Sequence, residues 1–158
     1  RLDEAIDLLE QNLSDRLRVL GPDHPGTLVS RNSLADAYKS AGRLEQPIRL
    51  LEQNLTDHER ILGPDHPRTL ISRNNLAESY REAGRLDEAI TLHERNLADR
   101  LRILGPDHPS IFGSRSNLAG AYYAAGRLDE AIDLFEQSLS DRLRVLGPDH
   151  PDTLPADR

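Results

Sequence analysis

An all-α solenoid, about three and a half repeats of a two-helix unit, is the fold this 158-residue sequence predicts. Three observations predict it. The string Leu-Gly-Pro-Asp-His-Pro occurs at Leu20–Pro25, Leu62–Pro67, Leu104–Pro109 and Leu146–Pro151, each copy 42 residues after the last. A fixed period of that size marks one supersecondary unit stacked repeatedly. Between copies the apolar residues recur at helical spacing, and glycine falls where each helix should stop.

The unit is clearest over 69–105. Its first half places Leu70, Arg73, Leu76, Ala77, Tyr80 and Ala83 on one helical stripe, followed by Gly84. Gly84 suits a left-handed C-terminal cap, where a β-carbon is penalised. The second half opens at Leu86-Asp87-Glu88, with acids facing the positive end of the helix dipole. Its stripe runs Leu86, Ala89, Ile90, His93, Leu97, Leu101 and Leu104. Gly105 then ends the helix and Pro106 blocks its continuation. Asp107 or His108 can cap the next helix, with Pro109 near its first position.

Applied to every copy, this reading predicts seven helices at about 2–20, 25–41, 44–62, 67–83, 86–104, 109–125 and 128–146. The chain is then a single array over 1–158. Residues 1–24 form an orphan second helix and its turn, followed by repeats at 25–66, 67–108 and 109–150 and a tail at 151–158 cut short by Pro155. The chain opens inside a repeat without an initial Met, which reads as an excerpt of a longer protein. Pro47 stands where the other copies have Ala, near the start of its second helix, so that start should shift.

Composition narrows the function. There is no cysteine, so disulfides, thiolate metal sites and cysteine nucleophiles are excluded. No apolar run approaches the ~18 residues of a membrane span, and no leader pattern opens the chain, which together fit a cytoplasmic protein. The net charge of −7 argues against nucleic acid and against an anionic membrane surface. No phosphate loop, zinc-protease motif or nucleophile elbow is present, so no enzyme activity and no cofactor are expected.

The segments Ser33–Ile48, Asn75–Ile90 and Asn117–Ile132 share a Leu-Ala-x-x-Tyr-x-x-Ala-Gly-Arg-Leu core. With it the chain resembles the tetratricopeptide repeat (TPR) family, in the 42-residue form of kinesin light chains and their bacterial relatives. Armadillo and HEAT arrays have a similar period but lack this turn-and-start signature. The resemblance implies a right-handed superhelix of antiparallel helix pairs, a protein-interaction scaffold whose first helices line a concave groove. Arg31, Arg73 and Arg115 depart from it, standing where the family often has an aromatic residue.

The candidate groove positions follow from the resemblance. Copy one supplies Val29, Asn32, Ser33, Asp36, Lys39 and Ser40; copy two supplies Ile71, Asn74, Asn75, Glu78, Arg81 and Glu82. Copy three supplies Gly113, Ser116, Asn117, Gly120, Tyr123 and Ala124. Asn32, Asn74, Asn75 and Asn117 suit a clamp on a peptide backbone, since an amide offers donors and an acceptor. Lys39 and Arg81 would be cationic contacts beside the acids Asp36 and Glu78. Tyr123, among Gly113, Gly120 and Ala124, would be the aromatic of a side-chain pocket.

Other recurring residues read as structural. The pairs Asp23-His24, Asp65-His66, Asp107-His108 and Asp149-His150 sit in identical turns, which suits capping and does not converge ligands on a metal. His93 takes the place of Leu9, Leu51 and Phe135 on the apolar stripe and should be buried and hydrogen-bonded. Arg31, Arg73 and Arg115 are expected to pair with Glu10, Glu52, Glu94 and Glu136 between helices. A second functional reading is self-assembly, as a homo-oligomer through the repeat ends. Arg1–Pro25 and Arg127–Pro151 differ only at Leu9/Phe135 and Asn12/Ser138. One end could therefore stand in for the other, by end-to-end stacking or by swapping helices.

Overall fold

The computed structural model describes residues 1–148 and 150–153. Its α-helices are α1 (Leu2–Leu20), α2 (Pro25–Ser40), α3 (Glu45–Leu62), α4 (Pro67–Glu82), α5 (Leu86–Leu104), α6 (Pro109–Ala124) and α7 (Leu128–Leu146). A short 3-10 turn follows at Pro151–Thr153. Asp149, and the expected tail beyond Pro151 with Pro155, lie outside the described residues apart from that turn.

The chain forms two compact units, Arg1–Arg85 and Leu86–Arg158. In the first, α1 packs on α2, α2 on α3 and α3 on α4; in the second, α5 packs on α6 and α6 on α7. Turns of three or four residues between packed neighbours make each such pair antiparallel. Ile6, Leu13 and Leu34 are buried together in the first unit, with Leu9, Ala37, Tyr38 and Ala41 packed against them. The second unit buries Ile90, Leu97, Ile111, Leu118, Ala121, Tyr122 and Ala131.

The repeated string is a turn with three separate fastenings. The histidine is the N-cap: Nδ1 of His24 accepts from the Gly26 amide at 3.0 Å, and His66 and His108 do the same for Arg68 and Ser110. Aspartate, the other expected cap, instead reaches sideways. Asp23 pairs with Arg60 and Asp107 with Arg144, contacts that hold both carboxyls below their ordinary pKa. Thr27 and Thr69 close the turn by donating to the Gly21 and Gly63 carbonyls, each at 2.8 Å.

Gly63 has φ 87° and ψ 163°, a conformation essentially restricted to glycine. Gly84, by contrast, is the expected left-handed residue just past α4, at φ 75°.

Pro47 delays α3 by one residue relative to α5 and α7, which start at the equivalent leucines Leu86 and Leu128. That shift makes Pro47 the third helical residue, where the amide has no intrahelical partner to lose. The proline is therefore buried without breaking the helix.

Candidate functional site

Between α2 and α4 of the first unit lies an open cleft of about 220 Å³. Pro25, Leu28 and Val29 form one wall with Asn32, and Arg68 and Ile71 form the other with Ser72. His58, from α3, lines its base. Val29 and Ile71 are both exposed, so this part of the surface presents apolar side chains to solvent.

The walls are held by a buried polar network. Arg31 pairs with Asp57 at 2.5 Å and donates to Asn54 Oδ1 at 3.3 Å. Asn54 in turn donates to the Leu28 carbonyl and to Asn32 Oδ1, both at 2.8 Å. The expected acidic partners of these arginines are thus corrected. Arg31 and Arg115 meet Asp57 and Asp141, 26 residues on, and Arg73 meets Glu59 at 3.1 Å. Glu10, Glu52 and Glu94 instead accept the hydroxyls of Tyr38, Tyr80 and Tyr122. Desolvation, aided by that glutamate, pushes the Tyr122 hydroxyl up to about 12.

At the base, His58 Nδ1 and Ser72 Oγ share a hydrogen bond of 2.7 Å. Burial pushes the imidazole below its ordinary pKa; Arg68 adds to that push and Asp57 opposes it. A neutral histidine therefore faces the cleft at neutral pH. Sequence reasoning missed His58, Ser72 and Arg68. The signal was available, because position 58 holds arginine in the other copies, as Arg16, Arg100 and Arg142.

The second unit has a cleft of about 420 Å³ lined by Pro109, Phe112, Gly113, Arg142, Leu146 and His150. Here Arg142 donates to Ser116 at 3.2 Å and lies 5.9 Å from the Phe112 ring centre. Gly113 and Gly120 have open space where a β-carbon would sit.

The candidate groove residues divide by what already holds them. Asn32 is half-buried, its carbonyl oxygen taken by Asn54 and its amide donors left for the cleft. Lys39 lies 3.4 Å from Asp36, and Arg81 grips Glu78 through Nε and Nη2 at 3.0 and 2.8 Å. Both cations are thus neutralised locally. Asn74, Asn75 and Asn117 are half-buried on α4 and α6. Tyr123 is exposed, and it does not line the cleft at Phe112 and Gly113. His93 is buried. Among the described residues no three His, Asp or Glu side chains converge as metal ligands, and no helix is long and apolar enough to cross a membrane.

This is a helical repeat protein whose turns and interhelix bonds recur copy by copy. A tetratricopeptide-repeat family model matches at residues 1–53, 41–98, 73–142 and 110–156, and the chain belongs to that family. Among solved structures it is similar to nearly identical TPR-like repeats of a putative kinesin light chain from Podosopora anserina. The TM-score there is 0.85 at 35% identity, covering 96% of this chain and 72% of that one. A singly substituted form of the same protein matches equally. BtubC (BKLC) from P. vanneervenii shares the fold, with a TM-score of 0.81 at 23% identity, covering all of this chain and 63% of that one. No curated protein matches the sequence.

Proposed function

We propose that this chain is a non-catalytic scaffold that binds an extended peptide or protein segment on its first-helix faces, the positions that line the concave groove of its family. The observation that carries the reading is the α2–α4 cleft, where exposed Val29 and Ile71 flank a neutral His58 and the donors of Asn32. An apolar side chain of the ligand would enter between Val29 and Ile71, and Asn32 would hold its backbone. An apolar recess with a few placed polar groups is the usual form of a binding site.

On the rest of that unit, Asn74 and Asn75 supply further amides on α4. Lys39 with Asp36, and Arg81 with Glu78, present balanced pairs, which favours a ligand segment of mixed or low charge over a purely acidic one. In the second unit the candidates are Asn117 and Tyr123. The partner is a polypeptide, with neither nucleic acid nor membrane involved, in keeping with the net charge of −7 and a cytoplasmic setting.

The experiment is selection of binding peptides from a random-sequence display library, followed by titration of the best one against variants. Ile71→Glu and Val29→Glu should weaken it by about tenfold or more, since each places a charge at the apolar wall. Asn75→Ala and Tyr123→Ala test the flanking contacts. A selected peptide that binds all four variants as it binds the parent chain would refute the groove reading.

A further inference from the structure

We propose that the α2–α4 cleft holds an apolar ligand side chain while His58 is neutral and releases it when acid charges the ring, a regulation that rests on the groove reading above. The positions equivalent to His58 are Arg16, Arg100 and Arg142, and a guanidinium keeps its charge throughout the range in which proteins stay folded. Arg16 and Arg142 reach polar groups of a neighbouring helix, the Gly26 carbonyl at 2.7 Å and the Ser116 hydroxyl at 3.2 Å. Of the four, position 58 alone carries a side chain whose charge changes between about pH 5 and 8.

The ring sits where an occupant would dry it. His58 shares the cleft lining with Pro25, Leu28, Val29 and Ile71, and is itself only 6% exposed. Its Nδ1 already shares a hydrogen bond of 2.7 Å with Ser72 Oγ. Val29 and Ile71 are 59% and 52% exposed, so a ligand side chain that covers them also excludes water from the base.

A charged ring under that occupant would find no spare counter-ion. From α2, the cleft residues Pro25, Leu28, Val29 and Asn32 carry no ionisable group. From α4 and the turn before it, the charges acting on the ring are Arg68 and, once protonated, His66. Arg73 of α4 is engaged with Glu59 at 3.1 Å. The acid that acts on the ring is Asp57, on its own helix, and Asp57 already holds Arg31 at 2.5 Å and Arg60 at 3.2 Å. Filling the cleft and charging the ring therefore oppose each other, because desolvation penalises the charged form. By linkage, protonation lowers the ligand's affinity by the same factor as occupancy lowers that of the proton.

The probe is a peptide selected at pH 7.5 from a random display library lacking Asp, Glu, His and Cys, then synthesised with blocked termini. Only the protein then titrates in the acid range. Affinity should fall about threefold or more between about pH 7.5 and 5. His58→Gln should hold the affinity level across that range. The His58 imidazole resonances should titrate at lower pH with peptide bound than without; this measurement needs no variant and decides alone if His58→Gln fails to bind. Affinity that ignores pH, a fall that survives His58→Gln, or an imidazole that titrates alike with and without peptide overturns the switch and leaves the groove reading standing. No selectable peptide, or one that ignores Ile71→Glu, overturns the groove reading and the switch with it.

Discussion

The Tyr80 hydroxyl donates to Glu52 at 2.6 Å across 28 residues of sequence, and Tyr38–Glu10 and Tyr122–Glu94 repeat the bond at the same separation. The ring of each tyrosine also carries the guanidinium five residues later, with Arg85 4.5 Å from Tyr80 and Arg127 4.3 Å from Tyr122. One aromatic thus joins the second helix before it to the turn after it. Tyr80→Phe keeps the ring and loses only the hydroxyl bond, so it should cost about 0.5–1.5 kcal/mol. Tyr80→Ala removes both and should cost about 3–5 kcal/mol. Urea denaturation of the two variants checks the difference.

Arg31 and Asp57 form a buried ion pair behind the cleft, each side chain about one-sixteenth exposed. Arg31→Ala removes the partner of Asp57 Oδ2 while Arg60, at 3.2 Å, and Gln53 stay on Oδ1, and should destabilise by about 1–3 kcal/mol. Lys39→Ala removes a cation whose partner Asp36 is largely in water, and should change stability by about 0–1 kcal/mol. Thermal melts of the two variants side by side distinguish the buried pair from the surface one.

Glycines at turns and within helices should respond in opposite directions. Gly63→Ala forces a β-carbon onto a backbone at φ 87° and should cost about 1–3 kcal/mol. Gly113 lies inside α6 with open space around it, so Gly113→Ala should stabilise by about 0.5–1 kcal/mol. Denaturant midpoints measured in parallel decide this.

His58 gives the stability a pH-dependent component. Its folded pKa lies below its unfolded value, so between the two the unfolded chain holds more protons and stability rises with pH. The contribution is complete above the ordinary histidine pKa and is lost as pH falls through that value towards the folded one. His58→Gln should flatten the stability profile between about pH 5 and 7 relative to the parent chain. Equal slopes in the two proteins would contradict the assignment.

Element order was legible because each signal was local. Gly-Pro ends one helix, His-Pro starts the next, and α1, α5 and α7 span the residues that the periodicity marks. Pairing across helices was harder to read. A recurring Arg and a recurring Glu look like partners on paper, yet side-chain reach sends Arg31 to Asp57 and leaves Glu52 to Tyr80. The cleft was only half visible. Val29, Asn32 and Ile71 followed from their family positions, whereas His58 belongs to a second helix, outside the family's groove positions. Asn32 shows a further limit, since one amide serves both the wall and the cleft.

The most direct test of the central claim is amide chemical-shift mapping of the 15N-labelled chain with a peptide selected for binding. The account predicts that the largest perturbations fall on Val29, Asn32, Ile71 and Ser72 and on the His58 side chain, and that Ile71→Glu removes them. Perturbations confined to α1 or α7, with the α2–α4 cleft unmoved, would contradict it.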